Sequence, residues 1–391
     1  MTMRIKAIQV SNFKSLVDFR LDLAKFNCLI GLNGAGKSTV LQFIDFFSQL
    51  VHGDMKAWLR ERKWNTVDLK SKLTRKVNID FCVWFTGSNG EIAGRWEATY
   101  NPKQNRCTRE RLDLLNCLVE TEKDVVTITN LSEGSVTTHE IAVDYEGSIL
   151  SRIKRDLLPE SALKCKEFIQ SITSLDLLAP EYLRQRTRES AGKLGLGGQN
   201  LSAFLHEMSI PKRRQLITYL RQVYPRLQEL HAKSLRSGWK QIEITEAFMG
   251  PESGLLPAMT TEARHINDGM LRLIAILAEL ATPNRFLLFD EIENGINPEL
   301  VEFLIDKLVN ATQQVLVTTH SPMILNYLED DIARAGVIYL YKTSQGFTKS
   351  IPFFSIPSLA EKLTVMGPGE AFVDTKLSEL DQEIQSISEG H

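Results

Sequence analysis

Residues 31–38 read GLNGAGKS, which fills every fixed position of a phosphate-binding loop. Its glycines let backbone N–H groups approach phosphate oxygens closely. Lys37 is spaced to reach the β- and γ-phosphates of a nucleotide, and Ser38 to offer its hydroxyl to Mg²⁺. Asn33, Gly34, Ala35, Gly36, Lys37, Ser38 and Thr39 are therefore the candidate phosphate contacts. Far downstream, residues 286–291 read FLLFDE, four apolar residues closed by two acids. Asp290 suits the metal's water shell as the acidic partner of Ser38, and Glu291 suits the polarisation of an attacking water. His320 follows directly on a short β-rich run, where an imidazole can touch a γ-phosphate.

Each of these groups needs an element to hold it. Residues 26–30 (FNCLI) form an apolar run bounded by a glycine and read as a strand. After Ser38, the positions Val40, Leu41, Ile44 and Phe47 fall on one helical face. The loop thus joins a strand to a helix N-terminus, which adds a partial positive charge. Residues 286–289 read as a buried parallel strand, and the acid pair sits at its C-terminal edge, where ligands bind in open α/β sheets. Asn267-Asp268-Gly269 precedes an apolar helix containing Leu271, Leu273, Ile274, Leu277 and Leu280, with Asp268 in the favoured first turn. The turn ENGINP (293–298) leads into a second amphipathic helix through Leu300, Phe303, Leu304 and Leu308.

The remaining segments fill in a scaffold. Residues 77–85 and 91–100 are β-like, joined by Gly-Ser-Asn-Gly at 87–90, and more strand signals occupy 125–143. From about 150 the pattern becomes helical, and Leu216, Tyr219, Leu220 and Val223 share one face after Pro211. Residues 191–198 (AGKLGLGG) read as a flexible loop, 239–245 as a return to β structure and 376–388 as a polar terminal helix. No heptad is sustained, which excludes a long coiled-coil arm.

Taken in order, GLNGAGKS, NDG, FLLFDE, ENGINP and TTHSP resemble the motif series of ABC-class ATPase heads of the RecF/SMC/OLD-like group. The opening RIKAIQVSNFKSLVDFRLDL is similar to that family's N-terminal hairpin, with its Asn-Phe-Lys-Ser. The resemblance covers about residues 1–50 and 260–342 well, and the middle weakly, through LLAPEYLR at 177–184 and a following Gly-Gly-Gln-Asn-Leu. It implies ATP as substrate and Mg²⁺ as cofactor. It also implies a signature segment, Asn267 and Gly269, that caps the γ-phosphate bound by a second copy. Glu291 becomes the catalytic glutamate, His320 the switch histidine and Gln185 the Q-loop glutamine. Two positions depart from the pattern. The signature normally has serine where this chain has Asn267, and close relatives read Leu-His-Pro where it has Ile296-Asn297-Pro298. An asparagine amide still donates a hydrogen bond, so capping is retained in principle and slow turnover is expected.

The fold implied is an α/β ABC-type head with a mixed central sheet, an antiparallel β subdomain, a helical lobe and no long coiled coil. Its boundaries are a head over 1–355, with a nucleotide-binding core at 1–50 and 240–355, a β subdomain at 75–145 and a helical lobe at 150–240. A tail follows at 356–391. About 50 residues after the last core strand are too few for the Toprim nuclease of OLD-type relatives.

Composition narrows the class. The 391 residues carry 46 Lys+Arg against 48 Asp+Glu, a net charge of −2, so no global pull toward nucleic acid exists. Local basic stretches occur at Arg60, Arg62, Lys63, Lys70, Lys72, Arg75 and Lys76, at 184–193 and at 212–214. No apolar run reaches the roughly 18 residues of a membrane span, and no signal peptide is read at the N-terminus. Five cysteines without CxxC spacing fit a reducing cytoplasm. Three functions remain open. One is an ATPase that dimerises on ATP and controls a separate effector protein, as the AAA-family ATPase subunits of bacterial antiphage defence systems do. The second is a RecF-like DNA-repair ATPase acting as an ATP-gated clamp or loader. The third is an ATP-binding structural module. The tail either packs on its own head or docks the effector.

Overall fold

Helix Lys37–His52 organises one half of the molecule. It starts on Gly36 and stops on Gly53, both in the left-handed region, with the Gly53 N–H returning to the Gln49 carbonyl. One apolar face was legible in the sequence, but Phe43 and Phe46 are buried as well. The reason is a second layer of aromatic partners: Phe46 meets Tyr100 edge-on at 5.1 Å, and Phe43 meets Phe13 at 5.4 Å. Those partners line an eight-stranded antiparallel sheet. Its order is Phe19–Asp22, Arg4–Ser11, Ile79–Thr86, Ile92–Asn101, Arg106–Leu114, Cys117–Glu122, Val125–Asn130 and Ser135–Glu140.

The structure is a computed structural model. It describes residues 3–87, 90–141, 144–176, 179–249, 257–376, 380, 383 and 384. The chain divides into two compact units, residues 1–173 with 329–391, and residues 174–328.

The first unit holds, besides the large sheet, a mixed one. Strand Phe26–Ile30 runs parallel to Val337–Lys342, with Cys28 opposite Val337, and Val337–Lys342 pairs antiparallel with Thr348–Pro352. Every residue of Phe26–Ile30 is buried, as expected for a central strand covered on both faces. The segment past 352 is packed into this unit. Phe353, Phe354, Ile356, Leu359 and Leu363 are buried, and Phe353 lies 6.0 Å from Tyr339 and 5.7 Å from Phe372. Of the two readings of the tail, packing on its own head is therefore the one seen over 353–372. The helix read over 376–388 lies mostly outside the described residues.

The second unit has a parallel pair, Phe286–Phe289 beside Gln314–Thr318. It also has a small antiparallel sheet of Leu227–Ser234, Lys240–Glu246 and Met259–Glu262. Helix Asp268–Leu280 is buried at every position from 269 to 279. Helix Pro298–Val309 buries Val301, Leu304, Ile305 and Leu308, while its expected Leu300 and Phe303 are half-exposed.

Several strands were not expected, among them Ile172–Leu175, Met259–Glu262 and Thr348–Pro352. Leu227–Ser234 is rich in helix formers, and pairing with Lys240–Glu246 overrides that propensity. In Arg106–Leu114 the alternation is masked because a glutamate, Glu110, occupies a buried position. Cys117–Glu122 follows it through a tight turn that contains no glycine. Among the described residues no helix is long and apolar enough to cross a membrane.

Candidate functional site

In the first unit, the loop between Phe26–Ile30 and Lys37–His52 has the backbone an anion cradle needs. Gly34 and Gly36 have φ of 78° and 114°. Asn33, Gly34 and Ser38 are exposed, Thr39 is half-exposed and Ala35 is buried. Lys37 is only 6% exposed, and its Nζ donates to the Gly31 carbonyl at 2.8 Å. The ammonium is thus drawn back over its own loop. Gly36 is required by space as well as by φ, since a Cβ there would stand 2.5 Å from Thr348 Oγ1. Thr348 is fully buried and braces the loop. Its Oγ1 donates to the Ala35 carbonyl at 2.9 Å and lies 2.8 Å from Ser15 Oγ, and Lys342 Nζ donates to it at 2.9 Å. Motif reading could not find this brace, which comes from a strand more than 300 residues downstream. Lys14, from the Asn-Phe-Lys-Ser turn, donates to Gln42 Oε1 of the loop's helix at 2.8 Å and lies 3.4 Å from the centre of the Trp64 ring. Burial lowers its amine to about 8.

In the second unit, Asp290 and Glu291 follow strand Phe286–Phe289, as expected of an acid pair at a strand's C-terminal edge. Glu291 takes a left-handed backbone, φ 46°, which is costly for a residue with a side chain. Its carboxylate lies between two neighbours: His320 Nε2 stands 3.9 Å from Oε1, and Asn294 Nδ2 donates to Oε2 at 3.3 Å. The His320 N–H donates to Glu293 Oε1 at 2.9 Å. The structure therefore brings Glu291, His320 and the ENGINP turn together. It adds Thr318, which the sequence did not single out. The Glu291 N–H donates to Thr318 Oγ1 at 2.8 Å, and Thr318 Oγ1 donates to Asp290 Oδ1 at 2.5 Å.

The NDG segment is joined to the ENGINP turn by packing. The Asn267 side chain accepts from the Met270 N–H at 2.8 Å and caps helix Asp268–Leu280. Asparagine and serine are equally good caps, which explains how asparagine can stand in the serine's position. Asn297 likewise caps Pro298–Val309, so the second departure also serves a helix start. Gly269 lies against the turn, because a Cβ there would stand 2.8 Å from the Gly295 carbonyl oxygen. Arg272, buried in the same helix, donates to the Asn294 carbonyl. Burial lowers its guanidinium's pKa, opposed by Asp268, Asp176, Glu181 and Glu291. Arg184 donates to the Ile266 carbonyl at 2.8 Å and pairs with Asp268. Gln185, the expected glutamine, is exposed, and among the described residues it makes no hydrogen bond to the acid pair or to NDG. Arg184, one residue before it, is the group that holds this segment.

Comparison with known proteins follows the same division. Residues 3–174 match a family described as "AAA ATPase domain", and residues 260–326 one described as "AAA domain, putative AbiEii toxin, Type IV TA system". The chain is 35% identical over 69 residues to the DNA repair protein RecN of Synechocystis sp., a match covering 17% of this chain and 12% of that protein. It is 37% identical over 75 residues to the OLD nuclease of Thermus scotoductus, covering 19% of this chain and 13% of that protein. The chain thus spans only about an eighth of the length of these curated relatives. A solved SMC head, bound to the C-winged helix domain of ScpA, shares the fold. Its TM-score is 0.51 at 14% identity, over 89% of this chain and 96% of that one.

Proposed function

We propose that this chain, an ABC-class ATPase head of the RecF/SMC/OLD-like group, binds ATP through its P-loop and hydrolyses it to ADP and phosphate. The observation that carries this reading is the loop itself. A left-handed Gly36 opens a 16-residue helix, Lys37 is buried at the helix start and Ser38 is exposed beside it. Backbone N–H groups and the helix terminus would hold the phosphates, with Lys37 turning from the Gly31 carbonyl to a phosphate oxygen. The donor chemistry fits Mg²⁺: Ser38 offers a hydroxyl and Asp290 a partly exposed carboxylate, both hard oxygen donors. That ion, held by Ser38 and Asp290, would neutralise phosphate charge. Glu291 would accept the attacking water's proton, oriented by His320 and Asn294. Gln185 is kept as a further nucleotide contact in this proposal.

Heads of this fold lend themselves to pairing. Asn267 and Gly269 of one copy would cap the γ-phosphate on the P-loop of another. The pair would pass its nucleotide state to a separate effector, in bacterial antiphage defence. The family description naming a toxin–antitoxin system and the SMC head's ScpA partner support that direction. Fluorescent-ATP titration tests the core of the proposal. Lys37→Ala should weaken binding about 30-fold or more through loss of a charge-assisted contact. Equal affinity in parent and variant would remove the P-loop from the proposal.

The RecN resemblance favours a second reading, a RecF-like clamp on DNA. Arg60, Lys63, Lys72, Arg75 and Lys76 are exposed, whereas Arg62 is consumed by an ion pair with Asp45. A steep loss of duplex binding with salt would support it, and salt-independent or absent binding would not.

A further inference from the structure

The acid pair is held from one side by a single residue. Thr318 is fully buried, and it touches three consecutive positions of the turn. Its Oγ1 accepts from the Glu291 N–H at 2.8 Å and donates to Asp290 Oδ1 at 2.5 Å, while its carbonyl accepts from the Ile292 N–H at 3.2 Å. A hydroxyl has one proton. Because Glu291 supplies a donor to the oxygen, that proton must point at Asp290. The hydroxyl therefore fixes both acids at once. It takes one lone pair of Asp290 Oδ1, leaving Oδ2, without a hydrogen bond among the described residues, as the better donor to a metal. It also anchors the N–H of a residue whose left-handed φ of 46° would otherwise relax.

We propose that Thr318 is a positioning residue that makes Asp290 a one-oxygen partner for the metal and holds Glu291 in its strained, catalytically oriented backbone. This rests on the ATPase reading above. One free oxygen suits an ion that keeps several waters and binds few carboxylate oxygens, as Mg²⁺ does. A bidentate carboxylate would suit Ca²⁺ better. The carrying feature is local to residues 290–292 and 318, so it does not depend on how the chain pairs with a second copy.

Thr318→Val keeps the shape and removes the hydroxyl. In the full chain with a non-hydrolysable ATP analogue, the Mg²⁺ concentration needed for half-maximal binding should rise about 10-fold or more, the usual effect of removing a group that orients a metal ligand. Binding of the analogue without metal should stay within about 2-fold, because the P-loop is untouched. Turnover should fall with it, and Thr318→Ser should restore Mg²⁺ dependence and turnover together. The Mg²⁺/Ca²⁺ preference should narrow in the valine variant. If valine does not fold, Thr318→Ala is measured the same way. A folded valine or alanine variant with parental Mg²⁺ dependence overturns the proposal. The parent and Glu291→Gln are run in parallel: a parent without turnover would sink the ATPase reading, and parental turnover in the variant would sink the role of Glu291, whatever Thr318 does.

Discussion

Gly36→Ala forces a Cβ against Thr348 Oγ1 at a φ of 114°, so it should cost about 1–3 kcal/mol of stability and weaken ATP binding as well. Thermal unfolding with and without nucleotide checks both, and an alanine variant with parental values in each would contradict the bracing by Thr348. Neither Thr348 nor Thr318 was legible in the sequence, because a buried threonine in a strand looks like any β-branched residue until its hydroxyl's partners are known. Lys37, Ser38, Asp290 and Glu291 stood out there because phosphate chemistry demands certain side chains at fixed offsets. Glu110 is a purely structural case. Burial raises its carboxyl to about 7, even though Ser148 and the Ile149 N–H donate to it. Between its ordinary 4.5 and that value, the folded protein holds a proton that the unfolded chain has released. Its stabilising contribution is therefore complete below the unfolded value and is lost as pH rises through the folded one, roughly 3 kcal/mol in all. Glu110→Gln should flatten the decline, and a parent whose melting temperature does not fall from about pH 5 to about pH 7.5 would contradict this assignment.

At the scale of elements, helix Asp268–Leu280 and the ENGINP turn behave as one piece. Gly269 admits the Gly295 carbonyl, Arg272 donates to the Asn294 carbonyl, and the Asn294 amide donates to Glu291. A large side chain at Gly269 would therefore displace the turn in its own chain before it met a partner. Such a change would act within the chain as well as on the capping that the resemblance implies for Gly269. Arg272→Leu should leave nucleotide binding near parental and lower turnover about 10-fold or more, by freeing Asn294 and with it Glu291. Asn294→Ala should do the same, and the two changes together should be less than additive. Strict additivity of the double variant would separate the two residues into independent roles. The helix was easy to read because its apolar positions run without interruption. Leu227–Ser234 was hidden because its strand state is imposed by Lys240–Glu246 and not by its own composition.

For the whole molecule, motif order announced the class of fold from two ends of the chain, while the middle had to be seen. The α/β head with its large antiparallel sheet stands, and the segment after 352 belongs to its core. Deletion from residue 356 would strip Ile356, Leu359 and Leu363 from buried positions, so it should destabilise the chain instead of only releasing a partner. A truncated chain with a parental melting temperature would reopen the docking role. ATP together with Glu291→Gln should populate even-numbered assemblies by light scattering, and an ATP-bound variant that stays monomeric would end the paired-head proposal. The central claim is hydrolysis itself, and phosphate release under saturating Mg-ATP tests it most directly. The parent should show measurable turnover and Glu291→Gln at least about 100-fold less, with ATP affinity unchanged. Phosphate release by Glu291→Gln at the parental rate, or a parent whose turnover survives Lys37→Ala, would contradict it.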